Sequence, residues 1–190
     1  MGGVIRRKVS DMRNLSLIAV IAALTLGACA GGPVGNASVP EPARSVETSS
    51  YLGKWYELGR YENSFEKDCE AVTAEYGLRP DGEVSVTNTC REGAVTGKVK
   101  VSEGRARIVE GAANAKLKVS FFGPFYFGDY WVLDRADDYS WSIVGEPSGK
   151  FLWLLSRTPQ PGEVAIRALT DRAAALGYDT SMIRWTKHAG

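Results

Sequence analysis

The chain has 190 residues, 23 Lys and Arg against 22 Asp and Glu, a single His and three Cys. A formal net charge of +1 offers no basic face for nucleic acid, and one histidine cannot build a metal cluster, so neither a nucleic-acid partner nor a metal or other cofactor is implied. The length suits one domain with a real core.

The N-terminus carries Arg6, Arg7, Lys8 and Arg13, then the apolar run Leu15 to Leu26, then small residues. That order is an export signal, and the run falls short of the roughly 20 residues that span a bilayer. Met12 is as good a start as Met1. Leu26-Gly27-Ala28-Cys29 resembles the lipobox of bacterial lipoproteins. The resemblance implies that residues 1–28 are a signal peptide, that Cys29 is acylated and becomes the new N-terminus, and that several acyl chains hold the protein on a membrane. Ala30 rather than an aspartate after the cysteine points to the outer membrane. Loss of the signal leaves 162 residues and, with four basic side chains and Asp11 gone, a net charge of −2. Residues 30–48 lack aromatics and are rich in Gly, Pro, Ser and Ala, the composition of a flexible tether. Residues 29–49 are therefore expected as tether and 50–190 as the folded domain.

From Tyr51 onward apolar residues alternate and turn residues interrupt them, so strands dominate. Val72, Ala74, Tyr76 and Leu78 share one face, RPDGE (79–83) turns, and Val84, Val86 and Asn88 share the returning face. AKLKVSFF (115–122) sets Leu117, Val119 and Phe121 against Lys116, Lys118 and Ser120. YWVLD, YSWSIV and FLWLLSR follow, bringing the number to about eight strands. EVAIRALTDRAAALG (163–177) changes period: Val164, Ala168, Leu169, Ala173 and Leu176 recur at helical spacing between Pro161 and Gly177. One helix cannot make an alternating α/β sheet, so it must lie on the outside of a β-structure, before SMIRWTK returns as a short strand.

YLGKWYELGRYENSFE, KLKVSFFGPFY and WLLSRTP, with Gly53 and Trp55 opening the first strand and Arg157 ending the last, resemble the lipocalins, and among them the bacterial outer-membrane lipoprotein lipocalins related to apolipoprotein D. The resemblance covers nearly all of Tyr51 to Lys187. It implies an all-β fold, an eight-stranded antiparallel up-and-down barrel with the C-terminal helix packed outside. It also implies that Trp55 crosses the closed end beneath the Arg157 guanidinium, with Gly53 admitting the turn into the strand. The family's second motif survives only as Asp134.

A barrel of eight strands has room for one small ligand. Strand parity offers Tyr76, Val86, Leu117, Val119, Phe121 and Trp141 as its lining. The family implies a binding module that stores or carries small hydrophobic ligands such as fatty acids or lysophospholipids, not an enzyme. Arg60, Lys98 and Lys100 are candidates for a head group. A competing enzymatic reading needs a free cavity thiol. Cys69 and Cys90 open and close the hairpin that turns at 80–82, and an exported protein meets oxidising conditions, so they are expected as a disulfide, with a bulge to bring them into register. A third reading is a purely structural envelope lipoprotein. Ligand identity and oligomeric state are not legible.

Overall fold

The computed structural model describes residues 33–189, so the export signal and Cys29 lie outside the described residues. One turn of helix, α1 (Thr48–Tyr51), leads into eight strands: β1 (Gly53–Tyr61), β2 (Cys69–Leu78), β3 (Val84–Glu92), β4 (Val99–Ile108), β5 (Lys116–Ser120), β6 (Gly128–Arg135), β7 (Trp141–Gly145) and β8 (Leu152–Ser156). Each pairs antiparallel with its successor, and β1 pairs with both β2 and β8, so the sheet closes into the expected barrel. The helix α2 (Glu163–Ala175) follows, and β9 (Ile183–Trp185) joins the second half of β1.

The alternation that builds the strands sorts side chains into two cores. Inside lie Trp55, Tyr76, Val84, Val86, Val132 and Leu155, among others. Outside, between barrel and helix, lie Leu58, Leu133, Ile143, Leu152 and Leu154 with Leu169, Ala173 and Leu176 of the helical segment. The helix meets the barrel through Ile166, Leu169, Ala173 and Leu176, a cleaner three-four-three spacing than the expected set, and Val164 is 85% exposed.

Bulges adjust the wall where the pattern slips. In β2 the register shifts between Glu70 and Thr73, with Ala71 at φ 49°, and Cys69 and Cys90 stand 5.5 Å apart between Cα atoms as a disulfide. In β6 the shift at Leu133 buries Asp134, whose carboxylate accepts from Arg172 of α2 and meets Arg44 at 3.2 Å. The surviving motif residue therefore ties strand, helix and N-terminal segment together.

That N-terminal segment departs from the expected tether. Gly35 and Asn36 donate from their backbones to the Gly149 carbonyl at 3.1 and 3.2 Å, the Asn36 side chain donates to Leu176, Asp179 donates to the Gly35 carbonyl, and Ala43 and Val46 donate to Leu133 and Ala113. Residues 35–45 are thus a strap along the outside of the barrel, and Val46 joins the inner core. Composition missed it because its attachment is through backbone groups and small residues: a Cβ on Gly35 would stand 2.2 Å from the Tyr61 ring.

Candidate functional site: a closed floor and an open cavity

One end of the barrel is sealed. Gly53, at φ +88°, turns the chain so that Trp55 lies inside with no exposure. The Arg157 guanidinium sits 3.8 Å above the indole and donates to the Lys54 and Ser50 carbonyls at 2.8 and 2.7 Å, while the indole donates to the Tyr51 carbonyl.

Above that seal runs a chain of hydroxyls. Tyr76 meets Tyr130 at 2.9 Å, Tyr130 meets Tyr51 at 3.0 Å, and Tyr51 meets Ser142 at 3.0 Å. Burial pushes the Tyr51 phenol up to about 12 and raises those of Tyr76 and Tyr130 as well, so all three stay neutral. Three bonds among four hydroxyls leave one O–H uncommitted. The floor is thus hydrogen-bonded within itself and asks little of an apolar ligand.

Over the floor lies a cavity of about 460 Å³, the size of a small-molecule site. Five of the six lining residues expected from parity reach it: Tyr76, Val86, Leu117, Val119 and Phe121. Phe121 lies just past the end of β5 and is 38% exposed, so it belongs to the mouth. Trp141 does not line the cavity. Its side chain packs in the outer core with Trp131, and its neighbour Ser142 takes the inner position. Trp153 and Leu155 of β8 supply the inner face that parity had assigned to Trp141. The sequence reading also missed Tyr51, Tyr130 and Val132.

The lining is graded along the barrel. Val84, Val86, Leu117, Val119, Val132 and Leu155 occupy the lower part, whereas Asn88, Ser102 and Lys100 lie on the upper halves of β3 and β4. Of the head-group candidates, only Lys100 lines the cavity. Arg60 has no exposure and is committed to Glu57 at 2.7 Å and to the Glu66 carbonyl at 2.7 Å.

A buried ionic seam fills the upper gap between β1 and β2. A bulge at Leu58 puts both Glu57 and Arg60 on the inner side of β1, and Glu57 reaches the cavity wall. Burial, reinforced by Glu66, pushes the Glu57 carboxyl up to about 7, against the pull of Arg60. Glu66 accepts from Asn63 and from the Trp153 indole at 3.0 Å, which places that tryptophan beside both the seam and the cavity.

Neither remaining cysteine is a free thiol in this form, since Cys69 and Cys90 are bonded to each other. His188 holds the Glu57 carbonyl at 2.7 Å on the outside of the wall, away from the cavity lining.

A family model described as a lipocalin-like domain matches residues 46–188. The chain is a lipocalin. Outer membrane lipoprotein Blc of Vibrio cholerae is 40% identical over 174 residues, covering 90% of this chain and 96% of that protein. Its namesake in Escherichia coli K12 is 37% identical over 186 residues, covering 94% and 99%. Those names carry the outer-membrane location expected for this lipocalin from Ala30 after its Leu-Gly-Ala-Cys box. Mouse apolipoprotein D is 29% identical over 164 residues, covering 82% of this chain and 84% of its own. In fold, the lipocalin is similar to insecticyanin of the tobacco hornworm Manduca sexta, with a TM-score of 0.64 at 20% identity over 82% of this chain and 87% of that one.

Proposed function

We propose that this lipocalin, anchored through acylated Cys29, binds single-chain acyl lipids, fatty acids or lysophospholipids, one per barrel, and stores or carries them in the cell envelope without chemical turnover. The observation that carries the reading is the grading of the cavity: an apolar lower part over an internally hydrogen-bonded hydroxyl floor, and Asn88, Ser102 and Lys100 on the upper halves of β3 and β4. That arrangement suits a ligand with its tail inside and its polar end outward. Burying about 400 Å² of acyl chain is worth about 10 kcal/mol at 25 cal/mol per Å², and an association cost of about 4 kcal/mol leaves about 6 kcal/mol, an affinity of some tens of micromolar.

The test is titration of delipidated protein with palmitate and with a lysophospholipid. Trp153 is the reporter, since it lines the cavity, stacks on Phe151 at 5.7 Å and donates to Glu66. Saturable quenching with one ligand per chain is expected. Ala106, 2% exposed on the inner face of β4, gives the control: Ala106→Phe fills the lower cavity and should abolish binding while the barrel stays folded. Affinity unchanged by that filling would reject the cavity as the site.

A further inference from the structure

We propose that the barrel docks mouth-down on the bilayer, with the phenylalanines of the β5–β6 segment and the rim inserted at the lipid interface. This rests on the anchored lipid-binding reading and adds an orientation to it.

The first observation is the mouth itself. β5 has only five residues, and its last, Ser120, pairs with Arg105, so Val99–Gly104 of β4 have no partner on that side. The wall is notched there, and the segment FFGPFYF (121–127), which has no charged residue, begins at the foot of the notch. Phe122, Phe125 and Phe127 are 87%, 60% and 82% exposed, and all three border the cavity. Phe125 and Phe127 stack on each other at 5.6 Å. The exposure belongs to a fixed segment: Tyr126 is held on the outer wall by Glu83 and lies 4.1 Å beneath the Arg107 guanidinium, and Gly123 accepts from Ser120 and Arg105. A Cβ on Gly104 would fall 2.7 Å from the Phe121 ring, so the glycine makes room for the segment's first aromatic. Phe65, 54% exposed and packed at a tilt against Phe151, adds a further aromatic to the same end. Clustered exposed aromatics of this kind mark a binding surface.

The second observation, independent of the first, is where the chain leaves the barrel. The strap begins against Gly149, in the β7–β8 loop, which lies at the open end opposite the Trp55–Arg157 seal. Pro33 is four residues from Cys29, and four residues span no more than about 14 Å whatever path they take. A tether of some twenty free residues would let the barrel face any direction. A strap fastened at the mouth does not: an acyl group on Cys29 holds the open end at the bilayer surface. Val34, beside that exit, is itself 49% exposed.

The two observations converge on one occupant. A lipid interface accepts uncharged aromatic side chains at the depth of the head groups, and the notch between β4 and the β5–β6 segment then opens onto the acyl chains that the cavity takes.

The experiment uses the mature chain with Cys29→Ser, which has no acyl group, and vesicles of phosphatidylethanolamine and phosphatidylglycerol. Unacylated protein should co-sediment with vesicles. Phe122→Ser with Phe127→Ser should reduce partition by about tenfold per phenylalanine withdrawn, with the near-ultraviolet circular dichroism unchanged. In the acylated chain the same pair should slow uptake of a fluorescent acyl probe from vesicles. Partition equal in both proteins overturns the inference, and so does loss of self-association in the double variant with vesicle binding intact, which would make the patch a contact between copies. Intact palmitate binding in either case would leave the binding reading standing, and the mass of the N-terminal peptide reports acylation separately.

Discussion

Replacing Arg157 tests whether the sealed end is a structural device separate from the cavity. The guanidinium lies 3.8 Å over the Trp55 ring and donates to two backbone carbonyls, and an alanine there loses all three interactions. Stacking of this kind is worth about 0.5–2 kcal/mol. The two carbonyls can turn to water once freed, so each charged hydrogen bond is counted at about 1 kcal/mol. Arg157→Ala should therefore cost about 3 kcal/mol, a fall in melting temperature of roughly 6–12 °C for a domain of this size. Arg157→Lys keeps the charge but loses the planar fork and should recover less than half of that. Scanning calorimetry of delipidated protein measures the fall, and acyl-ligand titration should show unaltered affinity, because the hydroxyl floor separates the seal from the ligand. An unchanged melting temperature with lost affinity would refute the reasoning.

Removing the disulfide as Cys69→Ser with Cys90→Ser frees a loop of sequence separation 21 and should lower stability by about 3 kcal/mol in urea unfolding; equal midpoints would show that the bridge constrains nothing. Glu57→Gln tests the seam through pH. The Glu57 carboxyl is raised to about 7 in the fold from an ordinary value of 4.5, so the folded state holds its proton more tightly than the unfolded chain. The stability from that proton is complete below about 4.5 and is lost as pH rises through about 7. The melting temperature of the native chain should accordingly fall between pH 5 and 8 more steeply than that of Glu57→Gln, whatever offset the loss of the Arg60 partner adds; parallel curves would place the titration elsewhere.

How much of this was legible varies with how many faces of a strand are buried. On β2 and β3 one face meets the cavity and the other meets solvent, so alternation alone put Val72, Ala74, Tyr76, Val84, Val86 and Asn88 on the correct wall. β7 is covered on both sides, by the interior and by α2, and hydrophobicity no longer chooses a face. Parity alone puts Trp141 on the lining, yet the inner position belongs to Ser142, whose hydroxyl completes the tyrosine chain. The same limit hid Trp153 and Leu155 on β8. A single inserted residue, Leu58, reversed the parity of β1 and carried Arg60 into the seam, where no head group can use it. The strap was illegible for another reason: its fastening depends on the Gly149 carbonyl and on the space that Gly35 leaves beside Tyr61, and neither has a signature in composition.

The most direct measurement of the central claim is native mass spectrometry of the protein taken from its own membrane in mild detergent. The account predicts one acyl lipid per chain, retained through desolvation and missing from Ala106→Phe prepared in the same way. A folded native chain that emerges without lipid, or a lipid that persists at full occupancy in the filled variant, would contradict it.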